Sequence, residues 1–161
     1  MSEGLPRPLA LCGWSLGGLA AMMAAERVGP DRLVLLEPSA PAETQGTDPG
    51  VSLEHGLLDP VATYGAFPPG QPARPDSLLA RAERKRGISV PSLPCPTLVV
   101  HGDELPADRG AAVAAHYGAD ALHVPGASHW DLVLDAGIRR RVAEWLSLGS
   151  DERRLAEGGT P

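Results

Sequence analysis

Cysteines, basic side chains and long apolar runs are all scarce in this sequence, and each scarcity excludes a class of protein. Two cysteines, Cys12 and Cys95, cannot form a disulfide framework, and no CxxC or Cys/His cluster indicates zinc. We therefore expect no metal site and two buried free thiols. Lys and Arg number 14 against 20 Asp and Glu, a formal net charge of −6, which argues against nucleic-acid binding and a polybasic membrane anchor.

The sequence also lacks a segment that predicts membrane insertion or secretion. Its longest run of apolar and glycine residues, Leu16 to Ala25, has ten residues, whereas a membrane span needs about 20. The N-terminal MSEGLPRPLA has no basic region followed by an apolar stretch, so no signal peptide is predicted. We expect a cytoplasmic chain, and its 161 residues, 43% of them apolar, are enough for one domain with a core.

Short apolar runs that alternate with helical patterns predict the fold class. The runs at residues 9–12, 32–36, 97–100 and 120–124 are typical of buried strands, and helices are predicted at 16–28, 107–117 and 138–148. Strand, helix and strand at this spacing form βαβ units. The prediction is an α/β fold with a parallel sheet of about four strands and flanking helices.

Two segments lack such a pattern. Residues 39–75 are rich in Pro, Gly, Ser and acidic residues, and a stretch this long inside a domain is typical of a functional insertion such as a lid. A helix capped by Asp76 and ended by Gly87 is predicted to follow it. Residues 149–161 are polar and glycine-rich, so we expect a frayed tail.

The motif Gly13-Trp14-Ser15-Leu16-Gly17 places a serine where the first strand turns into the first helix. Such a turn holds the serine in a strained conformation, and we expect Gly13 and Gly17 to remove clashing side chains while Gly18 lets the helix lie close to the strand.

A serine hydroxyl needs a base to become a nucleophile. Among five histidines, His129 follows the last predicted strand. Loops that follow parallel strands meet at the carboxyl edge of the sheet, so we predict that Ser15 and His129 act together.

These residues resemble the α/β-hydrolase superfamily: Gly13 to Gly17 match its nucleophile elbow, and Gly126-Ala127-Ser128-His129 match its late histidine loop. The resemblance covers about residues 8–148. It implies a partial α/β-hydrolase domain at 1–148, a lid insertion at 41–90, a flexible tail at 149–161, and a triad in the order Ser, acid, His. The four predicted strands would correspond to the family's fifth to eighth.

The resemblance leaves the triad acid open. The family's usual position, three residues after the glycine that ends its seventh strand, is Leu105 here. Asp103 is the first choice, with Glu104 as an alternative in the same turn. Glu37 is the other alternative, because some members carry the acid after the sixth strand. Any carboxylate that reaches the far ring nitrogen could fix the imidazole tautomer and stabilise the imidazolium.

The family's first four strands, and the loop that supplies one oxyanion-hole donor, have no counterpart in this sequence. The other donor, the backbone N–H of Leu16, lies at a helix N-terminus, which favours an anion. Residues 9–12 would form an apolar sheet edge that invites pairing with a partner chain or a second copy.

Two functions follow from these observations. One is a serine hydrolase of esterase or acyl-hydrolase type without a cofactor, acting on a small apolar carbonyl substrate beside Trp14 and Trp130, with haloperoxidase or C–C hydrolase chemistry left open. The alternative is an N-terminally truncated, catalytically impaired fragment that serves only as a binding or interaction module, or is inactive alone.

Overall fold

The computed structural model describes residues 6–105 and 108–157. Seven helices and six strands are assigned in it, and they follow one another along the chain as β1 (Ala10–Trp14), α1 (Leu16–Val28), β2 (Arg32–Leu36), α2 (Ala42–Gln45), β3 (Leu57–Leu58), α3 (Pro60–Tyr64), β4 (Asp76–Ser77), α4 (Leu78–Arg86), β5 (Thr97–His101), α5 (Asp108–Tyr117), β6 (Asp120–His123), α6 (Asp131–Leu134) and α7 (Ala136–Glu157).

The main sheet has four parallel strands in the order β1-β2-β5-β6. Leu11 pairs with Leu33 across the first interface, and Leu35 pairs with Val99 across the second. Strand β2 lies inside the sheet, and its Leu33, Val34 and Leu35 are fully buried, as continuous apolar runs in parallel sheets usually are. The predicted α/β class and four-stranded parallel sheet are confirmed.

Strand β1 differs from its neighbours because it has one strand partner, β2, among the described residues. It extends to Trp14, two residues beyond the predicted end, and its exposed and buried residues alternate. Cys12 is exposed and Cys95 half-buried, so the expectation of buried thiols is wrong, most clearly at Cys12. A side chain on an edge strand has fewer neighbours to cover it.

Helices cover the sheet and complete its core. Helix α1 packs against β1 and β2, and α5 packs against β5 and β6. A separate apolar cluster joins Val34 and Val100 of the sheet to Leu132 of α6 and Ile138 of α7. Helix α7 continues to Glu157, nine residues past the predicted end at 148, and residues 152–157 of this extension are all good helix formers. Residues 158–161 of the predicted tail lie outside the described residues.

Residues 41–90, the predicted insertion, form a compact unit of their own, and residues 1–40 and 91–161 form the other. Within this unit β3 and β4 pair antiparallel, and Asp59 caps α3 through the backbone N–H groups of Val61 and Ala62. Ser77, and not the predicted Asp76, caps α4 by accepting from the Ala80 N–H, because α4 begins at Leu78, directly after Ser77. A lid function for this unit stays a prediction.

Among the described residues, no helix combines the length and the apolar character that crossing a bilayer requires.

Candidate active site

Ser15 occupies the turn between β1 and α1 in a backbone conformation that L-residues rarely adopt, with φ of +54° and ψ of −124°. Its backbone N–H donates to the carbonyl of Leu36 at 3.0 Å, and its carbonyl accepts from Gly18 at 2.9 Å and Ser39 at 2.8 Å. The side-chain hydroxyl makes no capping bond to α1. The turn is therefore held by backbone contacts, and the hydroxyl is not used to start the helix.

Close packing at this turn requires Gly13 and Gly18, as the sequence predicts for these two glycines. A Cβ on Gly13 would lie 2.4 Å from the Gly17 carbonyl oxygen, and a Cβ on Gly18 would lie 2.7 Å from Pro38 Cβ. A Cβ on Gly17 would meet nothing within 4 Å. The expectation that Gly17 relieves a clash is therefore wrong, because that residue faces open space on the first turn of α1.

His129 lies in the loop after β6, and both its ring and its backbone are engaged. The Nδ1 atom lies 2.5 Å from Glu37 Oε2, and the ring lies 4.7 Å from the ring of Trp14, the residue before the serine. The Trp14 indole N–H also donates to the carbonyl of His129 at 3.1 Å. Trp14 thus connects the turn that carries the predicted nucleophile, Ser15, to the loop that carries the predicted base, His129.

Glu37 directly follows β2 and is a buried carboxylate, with 3% of the residue exposed. Its backbone has φ of +43°, and its N–H donates to the Val100 carbonyl at 2.7 Å. While Oε2 contacts His129, Oε1 accepts from the Gly102 N–H at 3.2 Å. The glutamate is therefore fixed at both backbone and carboxylate, as an acid that orients an imidazole needs to be.

The two carboxylates after β5 contact other partners than the His129 ring. Asp103, the first choice from the sequence, places Oδ1 2.7 Å from His123 Nε2, and its Oδ2 accepts from the Gly126 N–H at 2.6 Å. These hydrogen bonds, the one from Gly126 first, hold the pKa of Asp103 below its ordinary value. Glu104 accepts from the backbone N–H of His129 at 2.5 Å. Of the three candidates, Glu37 is the one at the ring nitrogen.

Two further histidines of this region, His101 and His123, contact each other. His101 is 6% exposed, its ring stacks 4.9 Å from that of His123, and its Nδ1 is buried with no hydrogen-bond partner. Burial, and then the neighbouring His123, lower the pKa of His101, which favours a neutral ring.

A signal for Glu37 exists in the sequence. It is a single acidic residue directly after an unbroken run of four apolar residues, Leu33 to Leu36, without a basic residue next to it. A carboxylate in that place becomes buried once the strand lies inside the sheet.

The predicted pocket residues Trp14 and Trp130 lie together, with ring centroids 4.7 Å apart. Trp14 also packs against the apolar cluster below the sheet, so part of its ring belongs to the core. A cavity of about 280 Å³ lies elsewhere, within the unit of residues 41–90, between Val51, Leu78, Arg81 and Lys85 among others.

No arrangement of three or more His, Cys, Asp or Glu side chains that could hold a metal ion occurs in the described part of the chain.

Comparisons with known proteins rest on structure, since no protein-family model and no curated protein matches the sequence. A variant of tomato methylketone synthase I complexed with beta-ketoheptanoate superimposes with a TM-score of 0.55 at 14% identity, covering 93% of this chain and 74% of that one. A meta-cleavage product hydrolase gives a TM-score of 0.52 at 17% identity, covering 83% of this chain and 62% of that one. Both are α/β-hydrolases.

The chain has a partial α/β-hydrolase fold. It spans about three quarters of one of these α/β-hydrolases and less than two thirds of the other. At these identities the likeness concerns the fold alone.

Proposed function

We propose that this chain is a serine hydrolase of esterase or acyl-hydrolase type, with Ser15 as nucleophile, His129 as general base and Glu37 as the triad acid. The observation that carries the proposal is a serine on a strained strand-to-helix turn, directly after a tryptophan that contacts His129, together with a buried carboxylate at the Nδ1 atom of that histidine. In that arrangement the carboxylate selects the tautomer in which the other ring nitrogen, Nε2, can accept a proton.

The proposed reaction has two stages. Ser15 Oγ attacks the carbonyl carbon of the substrate while His129 Nε2 takes the hydroxyl proton, and the oxyanion lies against the Leu16 N–H. Collapse of the intermediate breaks the bond to the alcohol. The alcohol leaves with the proton from His129, and the acyl group stays on Ser15. Water then attacks that acyl group by the same proton route, releasing the carboxylic acid and restoring the serine.

The proposal includes a small, apolar carbonyl substrate. Support for it comes from the aromatic pair Trp14 and Trp130, which lies against His129 and would form an apolar wall beside the reacting atoms. Leu16 follows the serine directly at the start of a helix of 13 residues, so its N–H lies at the positive end of a helix dipole. One donor where two are usual would reduce turnover about 10²–10³-fold.

The test is covalent labelling of the purified chain by an alkyl fluorophosphonate, followed by peptide mass spectrometry. The hydrolase proposal expects one adduct, on Ser15, formed as the serine oxygen displaces fluoride from phosphorus. Ser15→Ala is the matched control, because alanine keeps a β-carbon on the same strained backbone. Equal labelling of both proteins would contradict the nucleophile assignment.

A second candidate is a non-catalytic interaction module, favoured by the single strand partner of β1 among the described residues. In this case β1 recruits a partner and the serine is idle. Unlabelled wild-type protein that nonetheless associates through β1 would favour the module over the hydrolase.

A further inference from the structure

The turn after β5 is attached to the loop that carries His129 at several points. The Asp103 N–H donates to the Ala127 carbonyl at 3.2 Å, and the Gly126 N–H returns a bond to the Asp103 carboxylate at 2.6 Å. Gly102 lies so close that a Cβ on it would be 2.3 Å from the Ala127 carbonyl oxygen. The two segments therefore pack against each other by backbone contact, before any catalytic side chain is considered.

The attachment continues to His129 itself through Glu104. Its Oε2 accepts from the His129 backbone N–H at 2.5 Å, while the Trp14 indole donates to the His129 carbonyl at 3.1 Å. Both polar backbone groups of the histidine are thus held by side chains from other parts of the chain, Glu104 after β5 and Trp14 at the end of β1. Its ring Nδ1 is held separately by Glu37.

We propose that Glu104 is a positioning residue, which sets the place of the His129 imidazole by holding the backbone N–H of that residue, with Asp103 anchoring the start of the same loop. The inference rests on the proposed function, in which His129 is the base. In this proposal Asp103 and Glu104 hold the backbone of the histidine loop, whereas Glu37 contacts the imidazole ring. Misplacing a catalytic group by about 1 Å can cost about 10²-fold in rate, so the backbone contact has a catalytic consequence.

The two roles differ in what they require of the carboxylate. Glu37 faces an imidazole that becomes positively charged during the reaction, so its negative charge is needed. Glu104 faces a neutral amide N–H. The side-chain carbonyl of a glutamine can also accept a hydrogen bond from that N–H. Replacing each glutamate by glutamine should therefore separate the two roles.

The experiment compares Glu104→Gln, Glu104→Ala and Glu37→Gln in the full chain, with Glu26→Ala as control. Glu26 is an exposed carboxylate on α1, away from the site. Two quantities are measured for each protein: the second-order rate constant for fluorophosphonate labelling of Ser15 between pH 5 and 9, and the hydrogen-exchange protection of the His129 backbone amide by NMR. Thermal unfolding shows that each variant is folded.

Glu104→Ala should lower the labelling rate about 10-fold or more at every pH and should deprotect the His129 amide. Glu104→Gln should keep the rate within about threefold and keep the amide protected, because the acceptor remains. Glu37→Gln should lose about 10³-fold with the amide still protected. Rescue by glutamine at position 104 but not at 37 is a pattern that general destabilisation would not produce.

Two results would overturn the inference. One is that Glu104→Gln loses as much rate as Glu37→Gln, which would make the charge of Glu104 the essential feature. The other is that Glu104→Ala leaves the His129 amide as protected as in wild type. If wild-type Ser15 is never labelled, the proposed function fails, and the amide protection in Glu104→Ala and Glu104→Gln alone decides whether Glu104 holds the loop.

Discussion

Glu37 is a buried carboxylate in a positive-φ conformation, and its Oε2 contacts the Nδ1 atom of His129. The sequence places three carboxylates at one edge of the sheet, at positions 37, 103 and 104. Which of them reaches the histidine ring depends on side-chain direction and on what else each carboxylate can bond. Asp103 finds His123 and Gly126, and Glu104 finds a backbone N–H, so the ring nitrogen is left to Glu37.

The places of Ser15 after β1 and of His129 after β6 could be predicted from the sequence, because each depends on the order of the elements. A serine between two glycines at a strand-to-helix turn, and a histidine after the last strand, need only the order of the elements. The acid could not be chosen in the same way, since the choice depends on differences of a few ångströms among loop side chains. The assignment of the acid to Glu37 is part of the proposed function, and the labelling rates of Glu37→Gln and Asp103→Asn test it.

Three glycine substitutions should show which glycines of the serine turn are needed for close packing and which only belong to the motif. Gly13→Ala and Gly18→Ala should each lower the free energy of unfolding by about 1–3 kcal/mol, because the new methyl overlaps backbone or Pro38 atoms. Gly17→Ala is the matched control on the same turn and should be neutral or stabilising by up to about 1 kcal/mol, because alanine favours helix. Urea unfolding measures all three, and a Gly17→Ala as costly as Gly13→Ala would contradict the packing described.

At the scale of elements, those with continuous apolar runs or clear stops are predicted best. Strand β2 and helix α1 have the predicted bounds, because an apolar run ends at Glu37 in one case and Gly29-Pro30 stops the helix in the other. The elements α2, β3 and α3 were not predicted at all. They have two to five residues and bury few side chains, so no hydrophobic pattern indicates them. Asp59 caps α3, whereas α2 has no side-chain cap.

The open side of β1 leads to a prediction about association. An edge strand presents unpaired backbone groups to another chain, so we expect the purified protein to self-associate under reducing conditions, with a mass that rises with concentration. Cys12→Lys places a charge on this exposed strand position and should reduce the association. Met23→Lys, on the exposed side of α1, is the control that should not. Light scattering that finds a stable monomer of the wild-type chain would contradict this use of β1.

At the scale of the whole molecule, the chain combines two compact units with different degrees of predictability. Residues 1–40 and 91–161 contain the parallel sheet and the candidate site, and their architecture follows from apolar periodicity. Residues 41–90 form the other unit, whose sequence has no comparable pattern until helix α4. The partial α/β-hydrolase fold is thus predictable from the sequence, whereas the internal structure of the insertion is not.

In the proposed hydrolase, Glu37 and His129 together activate Ser15. The most direct test is the second-order rate constant for fluorophosphonate labelling of Ser15 in Glu37→Gln and in Asp103→Asn, the matched amide substitution at the acid that the sequence favours. We expect Glu37→Gln to fall by about 10³-fold or more, because an amide cannot stabilise the imidazolium. Asp103→Asn should stay within about threefold, since its amide can still bond Gly126 and His123. A large loss in Asp103→Asn with little change in Glu37→Gln would contradict the account.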